Sequence, residues 1–469
     1  MKDIKLKLFT RDYLLAMAAS LGTGFVTYFF FSTLSLFADT LTGTAVFAGY
    51  LSVAYSIAAM ITRPVAGWLS DKRGRVITLI IGTSICIASC ILYTFVTNIV
   101  LYRFATGLAM LMVLRAVHGI GFSLNNTSSG AIVPDIVPKE RISEGVGYFG
   151  MTFTLAQAVG PTIALAIVGG GELSSFNTLF ILSAAICAVS LVSACFIRYE
   201  RDAKREKHTG PANRSPDLSS DVTAVQQIVD PDGSTDAESA APSTGRTAVL
   251  PAGKPDGHPT QKSAKESGKP EGKTYFGVEP QAYGPAIMTA LLFIAMCSVL
   301  FFLTLYGKNS GFQVARLGWF FTISACGIAA ARIFLGKVVD RRGPDIVLIP
   351  GLIVVILTLF IIPFVTSTPL LICLGLPYGL STGAVLPPLN SLMFSRCSPN
   401  RRGAVFAVYA IANDVGITFG SLALSFIADH IGFNFMYWFS SALIVIALLI
   451  YIFSVSERSY NRRRAGVLE

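Results

Sequence analysis

Few residues of this 469-residue chain combine an ionisable side chain with a position deep in an apolar run, and those few define the chemistry on offer. Asp414 lies about 16 Å of helix beyond Gly403, near the middle of a run long enough to cross a bilayer, with Asn413 beside it. A charge at that depth costs about 2.5 to 3.5 kcal/mol on insertion scales, so it must face protein or a wet cavity. Two roles fit Asp414: a carboxyl that takes up and releases protons, or a structural residue that locks its helix to a neighbour. No other acidic residue sits so near a midplane. Asp39, Asp135, Glu144 and Asp429 all fall at the edges of apolar runs.

Arg115 and His118 are three residues apart and share one helix face, which Asn125 extends at helical spacing. The guanidinium suits an anionic substrate group or an opposing carboxylate, and the imidazole suits proton relay. A structural pair bonded to backbone carbonyls is the other reading. As a functional face it is expected to line a cavity. Ser20, Thr23 and Thr27 form a polar stripe on the first apolar run and Gln157 adds a polar group to the fifth. Such groups line a substrate cavity or serve helix packing. The chain has no GxxxxGK[ST] loop for nucleotide phosphates and no HExxH or paired CxxC. ATP is therefore not expected as the driving force, and neither a cofactor nor a metal is expected. The eight cysteines lie in or beside apolar runs without metal-type spacing and read as free thiols.

The elements that must carry these residues are transmembrane helices. The composition is 53% hydrophobic and 14% charged, and mean hydropathy is +0.62. Apolar runs of about 20 residues recur in two groups of six. The first group lies near 12–36, 45–68, 76–96, 100–133, 145–168 and 176–198. The second lies near 284–306, 312–336, 345–365, 369–394, 403–428 and 432–456. This predicts an all-α membrane protein with a six-helix bundle over 1–199, a second over 284–456 and a tail over 457–469. Residues 200–283 lose the apolar periodicity to Pro, Gly, Ser and charged residues, and read as a disordered linker.

A net charge of +10 would suggest nucleic acid, but the basic residues are placed otherwise. Lys2, Lys5, Lys7 and Arg11 precede the first run, and Lys72, Arg73, Arg75, Lys139, Arg141, Arg341, Arg342, Arg396, Arg401 and Arg402 fall in every second loop. The positive-inside bias places both termini and the linker in the cytoplasm of a cell-membrane protein. The first run has no small-residue cleavage site after a short apolar core and reads as a retained helix.

The halves repeat. Arg63, Gly67, Asp71, Arg73 and Gly74 recur as Arg332, Gly336, Asp340, Arg342 and Gly343 at one constant offset, which also carries Gly49 onto Gly318. Gly119, Gly160 and Arg141 likewise match Gly379, Gly420 and Arg401, and Phe30, Phe31 and Thr33 match Phe301, Phe302 and Thr304. Both halves start on the same side, so these are parallel repeats. In the shared frame, a glycine at 67 lets a neighbouring helix approach, one at 74 permits a tight turn, and Asp71 can face a helix dipole across the interface.

The stretch Gly67-Trp68-Leu69-Ser70-Asp71-Lys72-Arg73-Gly74-Arg75 resembles the G-x-L-x-D-R-x-G-R-R signature of major facilitator superfamily transporters, with Lys72 where arginine is usual. Arg115 through Gly119, continued by Asp135, Pro138 and Arg141, resembles a motif of drug:proton antiporters, and Gly160-Pro161 resembles the helix-bending motif of the same branch. Ala164-Leu165 stands where that motif carries a further glycine pair. The resemblance implies two pseudo-symmetric six-helix bundles rocking about a central cavity, with Asp71, Arg75 and Asp135 as a gating cluster. It implies proton-linked efflux of a small, amphipathic molecule by a monomer, with lipid and substrate as its only other partners. Uptake or export of a polar metabolite, such as a sugar or organic anion, is the alternative within transport; a non-transporting sensor that signals through its linker is the alternative outside it.

Overall fold

The computed structural model describes residues 8–138, 141–169, 171–200, 283–395 and 402–455, which form helices and turns with no strand among them. Most of the expected linker and the tail beyond 455 lie outside the described residues. Thr10 accepts the Tyr13 amide to start α1 (Arg11–Thr42), and Gly43 ends it in the left-handed region at φ 70°. There follow α2 (Val46–Arg73), α3 (Arg75–Tyr102), α4 (Phe104–Ile136), α5 (Ile142–Val168) and α6 (Leu173–Cys195). The second half comprises α7 (Tyr283–Leu300), α8 (Leu303–Asn309), α9 (Val314–Arg342), α10 (Asp345–Ile361), α11 (Thr368–Cys373), α12 (Gly375–Ser395), α13 (Arg402–His430) and α14 (Phe433–Ile450). Among the described residues, twelve segments are long and apolar enough to cross a membrane, one for each expected run.

Two of those runs are broken where hydropathy shows nothing. Between α7 and α8 the Phe301 carbonyl accepts the Ser35 hydroxyl of α1, and Thr304 donates to Ser32 O at 2.8 Å. Between α11 and α12, Pro377 has no N–H to give the Cys373 carbonyl one turn earlier.

Packing repeats the sequence duplication. In the first half α2 and α3 pack on α4, α1 packs on α5 and α6, and α3 meets α6; in the second, α9 and α10 pack on α12, α7 packs on α13 and α14, and α10 meets α14. The same glycine makes the closest approach to the backbone of another helix in each. A Cβ at Gly119 would strike the Tyr55 carbonyl, and one at Gly379 would strike the Ser324 carbonyl. Ser324 is the residue the repeat offset assigns to Tyr55. Between the halves, α2 lies along α13 and α5 along α9, making two seams.

Candidate functional site

Midway along the first seam, Arg63 Nη2 of α2 donates to Asp414 Oδ1 of α13 at 2.9 Å. The carboxylate side chain is 12% exposed and the guanidinium 36%. Asp414 thus answers the cost of its depth with an ion pair across the halves. Its partner is Arg63, a residue marked in the sequence only as part of the repeat, and not Arg115. Asn413 beside it is half-buried.

The second seam carries the symmetry-related contact. Arg332, the repeat mate of Arg63, places Nη1 3.4 Å from Thr154 Oγ1 of α5. The register that carries Gly160 onto Gly420 carries Thr154 onto Asp414, so one position bears a carboxylate and its mate a hydroxyl. Beside an apolar crevice lined by Leu335, Val339, Pro387 and Pro388, polar groups also lie near Arg332. The phenols of Tyr28 and Tyr409 lie within its electrostatic reach, Tyr28 also donates to Gln157 Oε1 at 3.4 Å, and the Asn390 amide lies within hydrogen-bonding reach of Tyr409.

Arg115 and His118 are placed elsewhere. They are 1% and 3% exposed, sealed inside the first half, and line no open cavity in this conformation. The guanidinium lies 4.4 Å from the Tyr55 ring centre and 4.9 Å from that of Phe30, with Nη1 3.5 Å from His118 Nδ1. Tyr93 closes the cage against His118. Among the described residues no carboxylate pairs with Arg115; cation–π attraction, worth about 2 kcal/mol where water is excluded, takes that place. Asn125 is likewise internal. Its amide donates to Thr83 Oγ1 at 2.8 Å and its carbonyl accepts Thr23 Oγ1 at 3.0 Å, tying α4 to α3 and α1. Thr27 donates to the Thr23 carbonyl, and Ser20 is buried in the same helix. Seven cysteines among the described residues are free.

The face that carries the basic loops holds the signature residues. Gly74 and Gly343 adopt φ of 109° and 83°, the turns that the repeated glycines anticipate. Arg75 pairs with Asp135 and donates to Ala131 O at 2.7 Å, pinning α3 to α4. Glu200 accepts the Arg75 and Val76 amides, capping α3 from the far end of the half, and Tyr199 donates to it. Burial and the carboxylates of Glu200 and Asp135 push the Tyr199 phenol above its ordinary range. Asp71 stands outside this node, exposed and, among the described residues, without an ion pair. A Cβ at Gly67 would meet open space, so the close helix approach expected there is not made in this conformation. Arg141 pairs with Glu144 one turn on. Arg73 is exposed, and the side chains of Asp340 and Arg342 lie outside the described set. Gly160 seats α5 on α1, with Pro161 next in the helix.

On the opposite face the halves are fastened. Lys308 Nζ pairs with Asp39 Oδ2 at 2.8 Å, the Ala45 amide donates to Asp429, and the Thr162 and Thr322 hydroxyls meet at 2.8 Å. Gly49 packs on Ser425, and Gly318 on the Thr162 backbone. Among the described residues, bonds between the halves run from this face to the level of the Arg63–Asp414 pair.

The comparisons agree with this architecture. The family model described as Major Facilitator Superfamily matches residues 16–313 and 285–467. The staphylopine export protein of Staphylococcus aureus is 23% identical over 86% of this chain and 85% of its own length. Multidrug resistance protein MdtG of Proteus mirabilis is 24% identical over 85% and 84%, and the multi-drug resistance efflux pump PmrA homolog of Lactococcus lactis is 23% identical over 89% and 87%. A D-xylose-proton symporter structure superposes with a TM-score of 0.65 at 15% identity over 95% of this chain and 98% of its own, which shows the fold. These relatives are transporters and not enzymes. The chain belongs to the Major Facilitator Superfamily, as a multi-pass membrane transporter.

Proposed function

We propose that this transporter couples proton entry to export of a small, amphipathic molecule, acting as a monomer in the cell membrane with its basic face, both termini and the 200–283 segment in the cytoplasm. The observation that carries the reading is the Arg63–Asp414 pair, an ionisable contact placed between the two moving bodies. With the basic face open, Arg63 supports the ionised carboxylate, so a proton held by Asp414 is given up on that side. Substrate then enters the cavity and the halves rock to open the other face. There Asp414 takes a proton, its hold on Arg63 lapses, and substrate leaves. A neutral carboxyl crosses back without the cost of an unpaired buried charge, which is about 3 to 5 kcal/mol when such a pair is broken. The export direction follows the names of the relatives, which speak of export, efflux and multidrug resistance.

The test is proton flux in proteoliposomes screened over a compound panel. The wild-type protein should move protons against an exported compound, and Asp414→Asn should lose pH-driven accumulation while keeping downhill exchange. An Asn variant that still builds the gradient at wild-type rate makes Asp414 structural and moves the search for the coupling site to His118.

A further inference from the structure

We propose that the Arg63–Asp414 pair is itself the polar subsite for the exported molecule, which presents to it an uncharged group with an acceptor and a donor side by side, as a carboxamide does. The proposal rests on the transport reading above and adds the substrate's chemistry to it.

The pair is open on its inner side. Ile57, Ile61, Val65 and Trp68 recur at helical spacing along α2, all exposed, and mark the face that meets lipid. Arg63 lies two residues beyond Ile61, about 200° around the helix, on the side of the buried Ala59 and Ala66. The exposed third of its side chain therefore faces the space between the halves and not the lipid. A guanidinium presents five N–H donors in a planar fork, and Nη2 gives one of them to Asp414 Oδ1 at 2.9 Å. Among the described residues, neither the other nitrogens of Arg63 nor Asp414 Oδ2 makes a further hydrogen bond.

Together the two side chains offer what neither offers alone. The ionised pair sums to no net charge, so a substrate carboxylate leaves one negative charge over and an amidinium one positive, each costly where water is scarce. A carboxamide leaves neither: its carbonyl oxygen accepts from Arg63 and its N–H donates to Asp414. Protonation of Asp414 dismantles the subsite. The carboxyl then carries an O–H donor where the amide needs an acceptor, and Arg63 loses the anion that holds it in place, so substrate leaves as the proton binds. Among the described residues, Arg63 is the one charged or titratable group within electrostatic reach of Asp414. The helices α7, α12 and α14, which also pack on α13, carry no acidic or basic residue. Asp71, Lys72 and Arg73 lie eight residues or more from Arg63, and Arg402, Asp429 and His430 twelve or more from Asp414. The switch is thus confined to the pair.

The full-length protein in lipid nanodiscs is titrated, at neutral and at mildly acid pH, with three probes of one shape: naphthamide, naphthoate and naphthamidine, each substituted at the same carbon. At neutral pH the amide should bind about tenfold more tightly than either ion, and its affinity should fall about tenfold at acid pH. Arg63→Gln should weaken the amide about tenfold, with Arg63→Lys between. Asp414→Asn should show the acid-pH affinity at both pH values, which still permits exchange at saturating substrate. The proposal is overturned if either ion binds as tightly as the amide, if no probe binds, or if the wild-type affinity for the amide ignores pH. Proton flux in proteoliposomes is measured alongside. The binding order and its pH dependence without proton flux would sink the coupling and leave the subsite standing; proton flux with no preference for the amide would do the reverse.

Discussion

Arg63 and Arg332 occupy equivalent places in the two halves, and each reaches across the interface to an equivalent place on the helix opposite. The first finds Asp414 and the second Thr154. Elsewhere the duplication is kept with care: the glycine contacts at 119 and 379 repeat to the same carbonyl, and the turns at 74 and 343 share their backbone. Packing fixed by close backbone approach tolerates little change, since each misplaced methylene costs about 1 to 3 kcal/mol. Side chains facing a wet interface are free to diverge. The duplication therefore holds the scaffold in common, and the departures from it set the two seams apart, a carboxylate on one and a hydroxyl on the other.

The largest expected effect comes from removing the difference on the titrating side. Asp414→Asn should reduce pH-driven accumulation to the equilibrium distribution, as read by substrate uptake into vesicles with an imposed pH step. Adding a carboxylate to the other seam sharpens the comparison. Thr154→Asp should set a carboxylate beside Arg332 as Asp414 stands beside Arg63, tying the second seam and slowing downhill exchange about tenfold, or about 1.4 kcal/mol, in vesicles. Placing a methyl at either of the two matching approaches tests the symmetry itself. Gly119→Ala and Gly379→Ala should destabilise the protein by similar amounts, about 1 to 3 kcal/mol each in denaturant unfolding, because both strike backbone carbonyls. Unequal losses would show that the halves do not share one scaffold. The smallest effect belongs to the Asp39–Lys308 pair, whose side chains are 21% and 35% exposed. Asp39→Asn should cost closure of that face no more than about 1 kcal/mol, visible as a modest rise in labelling of a cysteine placed at Thr42 from outside intact cells.

All twelve spans could be read from the sequence because a bilayer demands long apolar runs, and the repeat could be read because its glycines and charges keep one offset. The depth of Asp414 was equally legible. Its partner was not: helical periodicity gives a residue's face but not what the face meets, and Arg63 and Asp414 are far apart in sequence. A signal was present in Arg63 itself, an ionisable residue well inside an apolar run, with a second at the matching place in the other half. Arg115 shows the opposite error. Its face is real, but the aromatic cage of Phe30, Tyr55 and Tyr93 comes from three other helices, and only the fold reveals that the polar stripe points inward. Breaks at Phe301 and Leu374 escaped for a similar reason, because hydropathy averages over the turn where a carbonyl changes partner.

Glu200 bears on where the first half stops. Hydropathy ends near 198 and the polar segment was expected to begin at 200, yet the Glu200 carboxylate serves as the N-cap of a helix that begins 125 residues earlier. Excising the segment from 201 onward keeps that cap; excising from 200 strips two amides at the start of α3, at about 1 kcal/mol for a lost cap, beside the Arg75–Asp135 node. Two deletions that differ by a single residue should thus differ in how firmly the signature loop is held, so the length of linker removed matters less than whether its first carboxylate stays behind.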